Sequence, residues 1–127
     1  MGFGTFDGLH PGHMYYLRQL DALGDELIVL IARDRNVKKT KGKLPQHNEK
    51  ERLSAVKDLK FVNRVLIGHS SDYYHWIRKI RPDIIGLGYD QMTNLDGLKK
   101  TFPDIEIVRL DPYEPEKYKS SLLRDKE

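Results

Sequence analysis

Gly4-Thr5-Phe6-Asp7-Gly8-Leu9-His10-Pro11-Gly12-His13 is the stretch from which the fold of this chain is read. Met1 to Phe6 reads as the end of a short strand. Pro11 and Gly12 then open a helix, and proline suits the first turn because its missing N–H has no intrahelical partner there. A strand that passes through a glycine-rich turn into a helix brings backbone amides close to a ligand. The free amides and positive dipole end of the helix favour an anion. His10 and His13, three residues apart, stand at that terminus and can offer two N–H donors to one ligand. The predicted ligand is a phosphate.

Downstream, the chain alternates between two periods. Met14, Leu17, Leu20 and Leu23 follow at helical spacing, with Gly24 as the expected C-cap. Leu27 to Ala32 is a continuous apolar run, as expected of a strand covered on both faces. The basic stretch Arg33 to Lys43 reads as a solvated loop. Asn48 with Glu51 three residues on gives a capping-box start to a helix through Leu53, Val56 and Leu59. Val62 to Gly68 is a third strand. Ser70 or Ser71 is the expected cap of a helix carrying Tyr73, Tyr74, Trp76, Ile77 and Ile80 and stopped by Pro82. Asp83 to Gly88 is a fourth strand, Asn94 to Phe102 a short helix weakened by Gly97, and Ile105 to Leu110 a fifth strand. Pro112 and Pro115 break the chain before a last helix over Glu116 to Lys126.

Strands alternating with helices imply an α/β fold, a parallel sheet with helices on both faces. Right-handed crossovers favour a Rossmann-like, doubly wound, five-stranded sheet of order 3-2-1-4-5, in one domain over residues 1–127. The winding reverses between strands 1 and 4, and ligands bind at that switch point beyond the carboxyl ends of the strands. The loop after strand 1 therefore faces the loop after strand 4, Gly88-Tyr89-Asp90-Gln91.

Composition excludes several classes. There is no cysteine, so no disulfide, thiolate metal site or cysteine nucleophile. No apolar run reaches the about 18 residues of a membrane span, and the N-terminus has no signal-peptide pattern; the expectation is a cytoplasmic protein with no membrane partner. The net charge of +3 is modest, but Arg33, Arg35, Lys38, Lys39, Lys41 and Lys43 cluster with Asp34 as the only acid among them. Without interleaved aromatics or a second basic stripe, a small phosphorylated ligand is expected rather than nucleic acid.

The chain has no Gly-x-Gly-x-x-Gly fingerprint, no P-loop and no nucleophile elbow. Zinc held by the two histidines would need a third protein ligand, and none stands nearby in sequence. What remains is positioning and electrostatic stabilisation of a phosphate reaction. A phosphate monoester acceptor, with a second pKa of about 6, is largely dianionic at neutral pH and needs no general base.

The quoted stretch resembles the signature of the cytidylyltransferase-like nucleotidyltransferase superfamily. The resemblance continues through Ala32-Arg33-Asp34 and the following lysines, Glu51-Arg52, and Pro82 to Gln91. Within that superfamily the chain is most similar to archaeal-type FAD synthases, in Gly88-Tyr89-Asp90-Gln91 and Glu106-Ile107-Val108-Arg109-Leu110. The resemblance implies transfer of AMP from ATP to FMN, with release of pyrophosphate. It implies that Thr5, Phe6, Pro11, Gly12 and Gly88 line the nucleotide and that His10 and His13 stabilise the triphosphate. It assigns Lys38 or Lys39 to the phosphates, Asp90 to the nucleoside, and Arg52 to a phosphate contact, the alternative for Arg52 being a surface salt bridge to Asp or Glu. Mg²⁺ would bridge phosphates rather than sit among protein ligands. Relatives close a last helix on the nucleotide through a Ser/Thr-Ser/Thr-Lys-Ile-like segment. Here Tyr118-Lys119-Ser120-Ser121-Leu122-Leu123 stands in its place, with leucine for the lysine, and Tyr118, Ser120 and Ser121 are the candidate contacts. Relatives are often homodimers, for which Tyr73, Tyr74 and Trp76 offer an interface if they are not core.

Three alternatives remain open at this level. One keeps the chemistry with other substrates: CTP and glycerol 3-phosphate, or ATP and a sugar or heptose phosphate. The others are a non-catalytic nucleotide-binding domain and a nucleic-acid-binding module.

Overall fold

Ile28–Ile31 is buried at every position, and the sheet is built around it. The structure is a computed structural model that describes residues 1–88 and 95–112. In chain order the elements are β1 (Gly2–Gly4), α1 (Pro11–Asp21), β2 (Ile28–Ile31), α2 (Asp34–Lys41), α3 (Glu49–Lys57), β3 (Arg64–Ile67), α4 (His75–Ile80), β4 (Ile84–Leu87), α5 (Leu95–Thr101) and β5 (Glu106–Arg109).

Alternation along β2 sends side chains to two cores. Val29 and Ile31 join Leu17 and Leu20 of α1 and Val56 of α3 on one face. Ile28 and Leu30 join Ile77 of α4, Leu98 of α5, and Ile85 and Leu87 of β4 on the other. Helices thus cover both faces of a parallel sheet, as the apolar run predicts.

β1 pairs with β2 (Gly2 opposite Val29), β2 with β3 (Ile28 opposite Arg64), and β4 with β5 (Ile84 opposite Glu106), all parallel. These ladders form a three-stranded and a two-stranded block. The blocks meet where the Met1 ammonium donates to Ile84 O at 2.8 Å and Gly86 N donates to Met1 O at 3.0 Å, giving the order 3-2-1-4-5. One residue further along, a side chain takes over. The Tyr16 hydroxyl accepts from Phe3 N at 3.1 Å and donates to Gly86 O at 2.7 Å. The expected continuous sheet is therefore opened at its switch point by a phenol inserted between β1 and β4. A Cβ at Gly2 or Gly86 would collide with the Leu20 side chain, so glycine at both strands lets α1 lie close over that junction.

Several local expectations are corrected. The basic stretch is helical over Asp34–Lys41. Asp34 in its first turn and Lys38, Lys39 and Lys41 in its last complement the helix dipole, and Gly42, at φ 82°, closes it by donating to Lys38 O. α1 ends with Ala22 as its C-cap, in right-handed conformation, not with Gly24. Neither Ser70 nor Ser71 caps α4, which starts at His75. Instead His69 Nδ1 accepts from the amides of Ser71 and Asp72, and Asp72 Oδ1 accepts from Tyr74 N. β1 stops at Gly4 because the chain turns at Phe6, whose φ is 54°. The expected helix over Glu116 to Lys126 lies outside the described residues. Trp76 is bound through Nε1 to Ile67 O at 2.9 Å, and Tyr74 and Trp76 pack against the α4/α5 core.

Candidate active site at the switch point

The loop between β1 and α1 reverses direction through two left-handed residues, Phe6 and Gly8 (φ 78°). For a bulky residue that conformation costs roughly 1–2 kcal/mol. It is held because the Phe6 ring is buried, packed over Gly4 and against the edge of His13 at 5.3 Å.

His10 is the N-cap of α1. Its Nδ1 accepts from the amides of Gly12 (3.0 Å) and His13 (3.3 Å), while His13 Nδ1 accepts from His10 N at 3.3 Å. This is a reciprocal capping box in which imidazoles stand where Ser/Thr and Glu/Gln are usual. Pro11 has no N–H and Met14 N donates to His10 O. No first-turn amide is therefore left for a ligand, contrary to the sequence expectation, and what this terminus presents is two imidazoles and the helix dipole. With both Nδ1 atoms accepting, each neutral ring carries its proton on Nε2. The two rings stack at 3.6 Å between centroids. Burial, then the nearby His10 and Lys41 charges, push the His13 pKa below the usual histidine value, against the opposing pull of the Gly8 carbonyl and Asp7. His13 is thus a neutral N–H donor at pH 7.

Of the basic run, Lys41 is the lysine whose charge reaches His13; the sequence marked it only as one of the cluster, with the phosphates assigned to Lys38 or Lys39. Lys38 and Lys39 are exposed on the same turn of α2. Asp7, part of the quoted stretch but given no role there, ties the loop to the segment before α3. Its carboxylate accepts from Gln46 N at 2.8 Å, His47 N at 2.9 Å and His47 Nδ1 at 2.9 Å. Partial burial raises its pKa, but the two amides and the imidazole outweigh that and hold it at about 2.

Arg52 lies in the interior and not at the surface. It is 1% exposed. Its guanidinium donates to His47 O (3.0 Å), Thr5 O (2.8 Å) and Asp34 Oδ1 (2.7 Å). It pairs with an aspartate, but in the interior, where it pins the end of β1, the start of α2 and the segment before α3. Gly88 O, at the end of β4, accepts from Arg109 at 2.8 Å. Asp90, Tyr118, Ser120 and Ser121 lie outside the described residues. Among the described residues no group of three or more His, Cys, Asp or Glu is placed to hold a metal, and no helix is long and apolar enough to cross a membrane. A concavity lined by Met1, Leu20, Leu27, Ile28, Asp83 and Ile84 opens at the amino ends of the strands and includes none of the predicted site residues.

The fold is a doubly wound α/β domain with a histidine-capped helix at its switch point. The model of the cytidylyltransferase-like family matches residues 1–126. A FAD synthase of Thermoplasma acidophilum is 42% identical over 99% of this chain and 91% of its own length. One of Methanosarcina mazei is 52% identical over 76% of this chain and 63% of its own. A solved structure described as the lipopolysaccharide core biosynthesis protein from Thermoplasma volcanium superposes with a TM-score of 0.82 at 38% identity, over 89% of this chain and 95% of that one. The chain belongs to the cytidylyltransferase-like family.

Proposed function

We propose that the chain is a nucleotidyltransferase that moves AMP from ATP to FMN, giving FAD and pyrophosphate. The observation that carries the chemistry is the stacked pair of imidazoles capping α1 at the switch point, with His13 held neutral. FAD synthase relatives aligned along nearly the whole chain support FMN as the acceptor.

The FMN phosphate oxygen attacks the α-phosphorus of ATP, and the bond from that phosphorus to the bridging oxygen of pyrophosphate breaks. The acceptor phosphate is largely dianionic at neutral pH, so no protein base is required. His10 donates its Nε2–H to a phosphate oxygen where charge builds up, and His13 does the same by exchanging the Gly8 carbonyl that its N–H meets for the phosphate. Lys38, Lys39 and Lys41 add positive potential from the end of α2. Thr5, Phe6, Pro11, Gly12 and Gly88 shape the nucleotide cleft, and Asp90, Tyr118, Ser120 and Ser121 are assigned to the nucleotide by resemblance. A divalent cation bound with ATP would supply charge neutralisation on the phosphates. Arg52 holds the cleft's framework through Thr5 O, His47 O and Asp34 Oδ1.

The second reading, a sugar-phosphate acceptor, is favoured by the likeness to the Thermoplasma volcanium lipopolysaccharide core biosynthesis protein. Assaying four NTPs against FMN, glycerol 3-phosphate and sugar phosphates separates the two. We expect pyrophosphate release with ATP, FMN and Mg²⁺ together. Equal or better turnover with CTP and glycerol 3-phosphate, or with ATP and a sugar phosphate, overturns the FMN assignment.

A further inference from the structure

An FMN acceptor brings a flat three-ring isoalloxazine to the site, and a glycerol or sugar phosphate does not. A flavin site therefore needs an exposed apolar plane near the phosphates. Among the described residues the strongly exposed large apolar side chains are Leu44 and Tyr73, each 58% exposed. Scattered exposed apolar residues are ordinary, so position and support decide which of them means something.

Tyr73 lies on the loop that leaves the carboxyl end of β3 for α4. Its ring stacks on Phe3 at 6.2 Å and 22° between planes, and Phe3 stands in β1 two residues before Thr5. Tyr73 also meets Tyr74 edge-on at 5.7 Å, and Tyr74 meets Phe102 at 5.4 Å. The exposed ring is thus the outer end of an aromatic row rooted in the α4/α5 core. Its loop is held by the His69 and Asp72 hydrogen bonds to the backbone and by the Asp72–Arg78 ion pair. A ring held this way offers stacking area at little entropic cost.

In-line transfer places the attacking oxygen and the leaving pyrophosphate on opposite sides of the α-phosphorus, so the acceptor needs a surface apart from the groups that hold the leaving phosphates. His10 and His13 cap α1 on the α1/α3 face of the sheet, and Tyr73 is exposed beyond the carboxyl end of β3, over Phe3 and beside the α4/α5 core.

We propose that Tyr73 is the stacking platform for the isoalloxazine of FMN and selects a flavin over a sugar or glycerol phosphate. This rests on the function proposed above. The test is the steady-state kinetics of Tyr73→Ala and Tyr73→Phe, with the fluorescence of bound FMN. Base–aromatic stacking predicts a KM for FMN about tenfold or more higher in Tyr73→Ala, with the KM for ATP and the rate at saturating FMN retained. Tyr73→Phe keeps the KM but brightens bound FMN, because phenylalanine does not donate an electron to the excited flavin as a phenol does. A wild-type KM for FMN in Tyr73→Ala, or bound-flavin quenching unchanged in Tyr73→Phe, overturns the platform while leaving FAD synthesis intact. A wild-type chain that makes no FAD from ATP and FMN overturns both.

Discussion

Removing the Arg52 guanidinium tests whether this arginine builds the site or touches the substrate. The side chain is fully buried, and its partner Asp34 is 28% exposed. Three acceptors depend on it: Thr5 O, His47 O and Asp34 Oδ1. Taking one partner from a buried ion pair typically costs about 3–5 kcal/mol. Partial hydration of Asp34 lowers that cost, and the two carbonyls left without donors raise it, so we expect roughly 3 kcal/mol for Arg52→Ala. Arg52→Lys keeps the charge but not the planar fork, and about 2 kcal/mol is expected. Urea unfolding followed by Trp76, the single tryptophan, measures both. For Arg52→Ala the midpoint falls by roughly 1–2 M. Near-wild-type stability together with a sharply raised KM for ATP would refute the framework role and restore the phosphate contact expected from sequence.

The His13→Ala variant should lose about 10²–10³-fold in kcat, as when one preorganised donor is removed, with pyrophosphate release as the readout and stability checked by the same unfolding assay. Asp7, with its folded pKa depressed to about 2, contributes stability that is present above its unfolded pKa of about 4 and is lost as pH falls from there through about 2. Asp7→Asn should lower the urea midpoint at pH 7 and flatten stability against pH in that window; an unchanged profile counts against the loop tether. Tyr16→Phe leaves Phe3 N and Gly86 O without the bridging hydroxyl and should cost about 1–3 kcal/mol. Amide hydrogen exchange at Phe3 should quicken more than at Val29 in the same variant, and equal change at both residues would mean the phenol is not what bridges the strands.

The overall architecture was legible because it follows from short-range pattern. The continuous apolar run of β2 announces a strand covered on both faces, and the alternation of periods announces the parallel sheet. The Asn48–Glu51 capping box stands where spacing placed it. α2 was missed because eight largely polar residues carry no apolar period, and Val37 is its one buried side chain. The Ser70 and Ser71 caps failed because His69, a less usual acceptor, takes the Ser71 and Asp72 amides first.

Sequence by itself determined the chemistry on offer: two imidazoles in one turn of a helix that starts where a strand ends. That information is local, since the strand, the turn and the three-residue spacing lie within ten neighbouring positions. Only the tertiary structure decided how those groups are used. Asp7 meets His47 forty positions away, and Arg52, one of 22 lysines and arginines, is buried because the end of β1, the start of α2 and the segment before α3 converge on it. Tyr16 parts β1 from β4 because α1 crosses their junction over two glycines. These contacts join segments far apart in sequence, and no local period encodes them. Burial and pairing follow from which chain segments the packed sheet brings together.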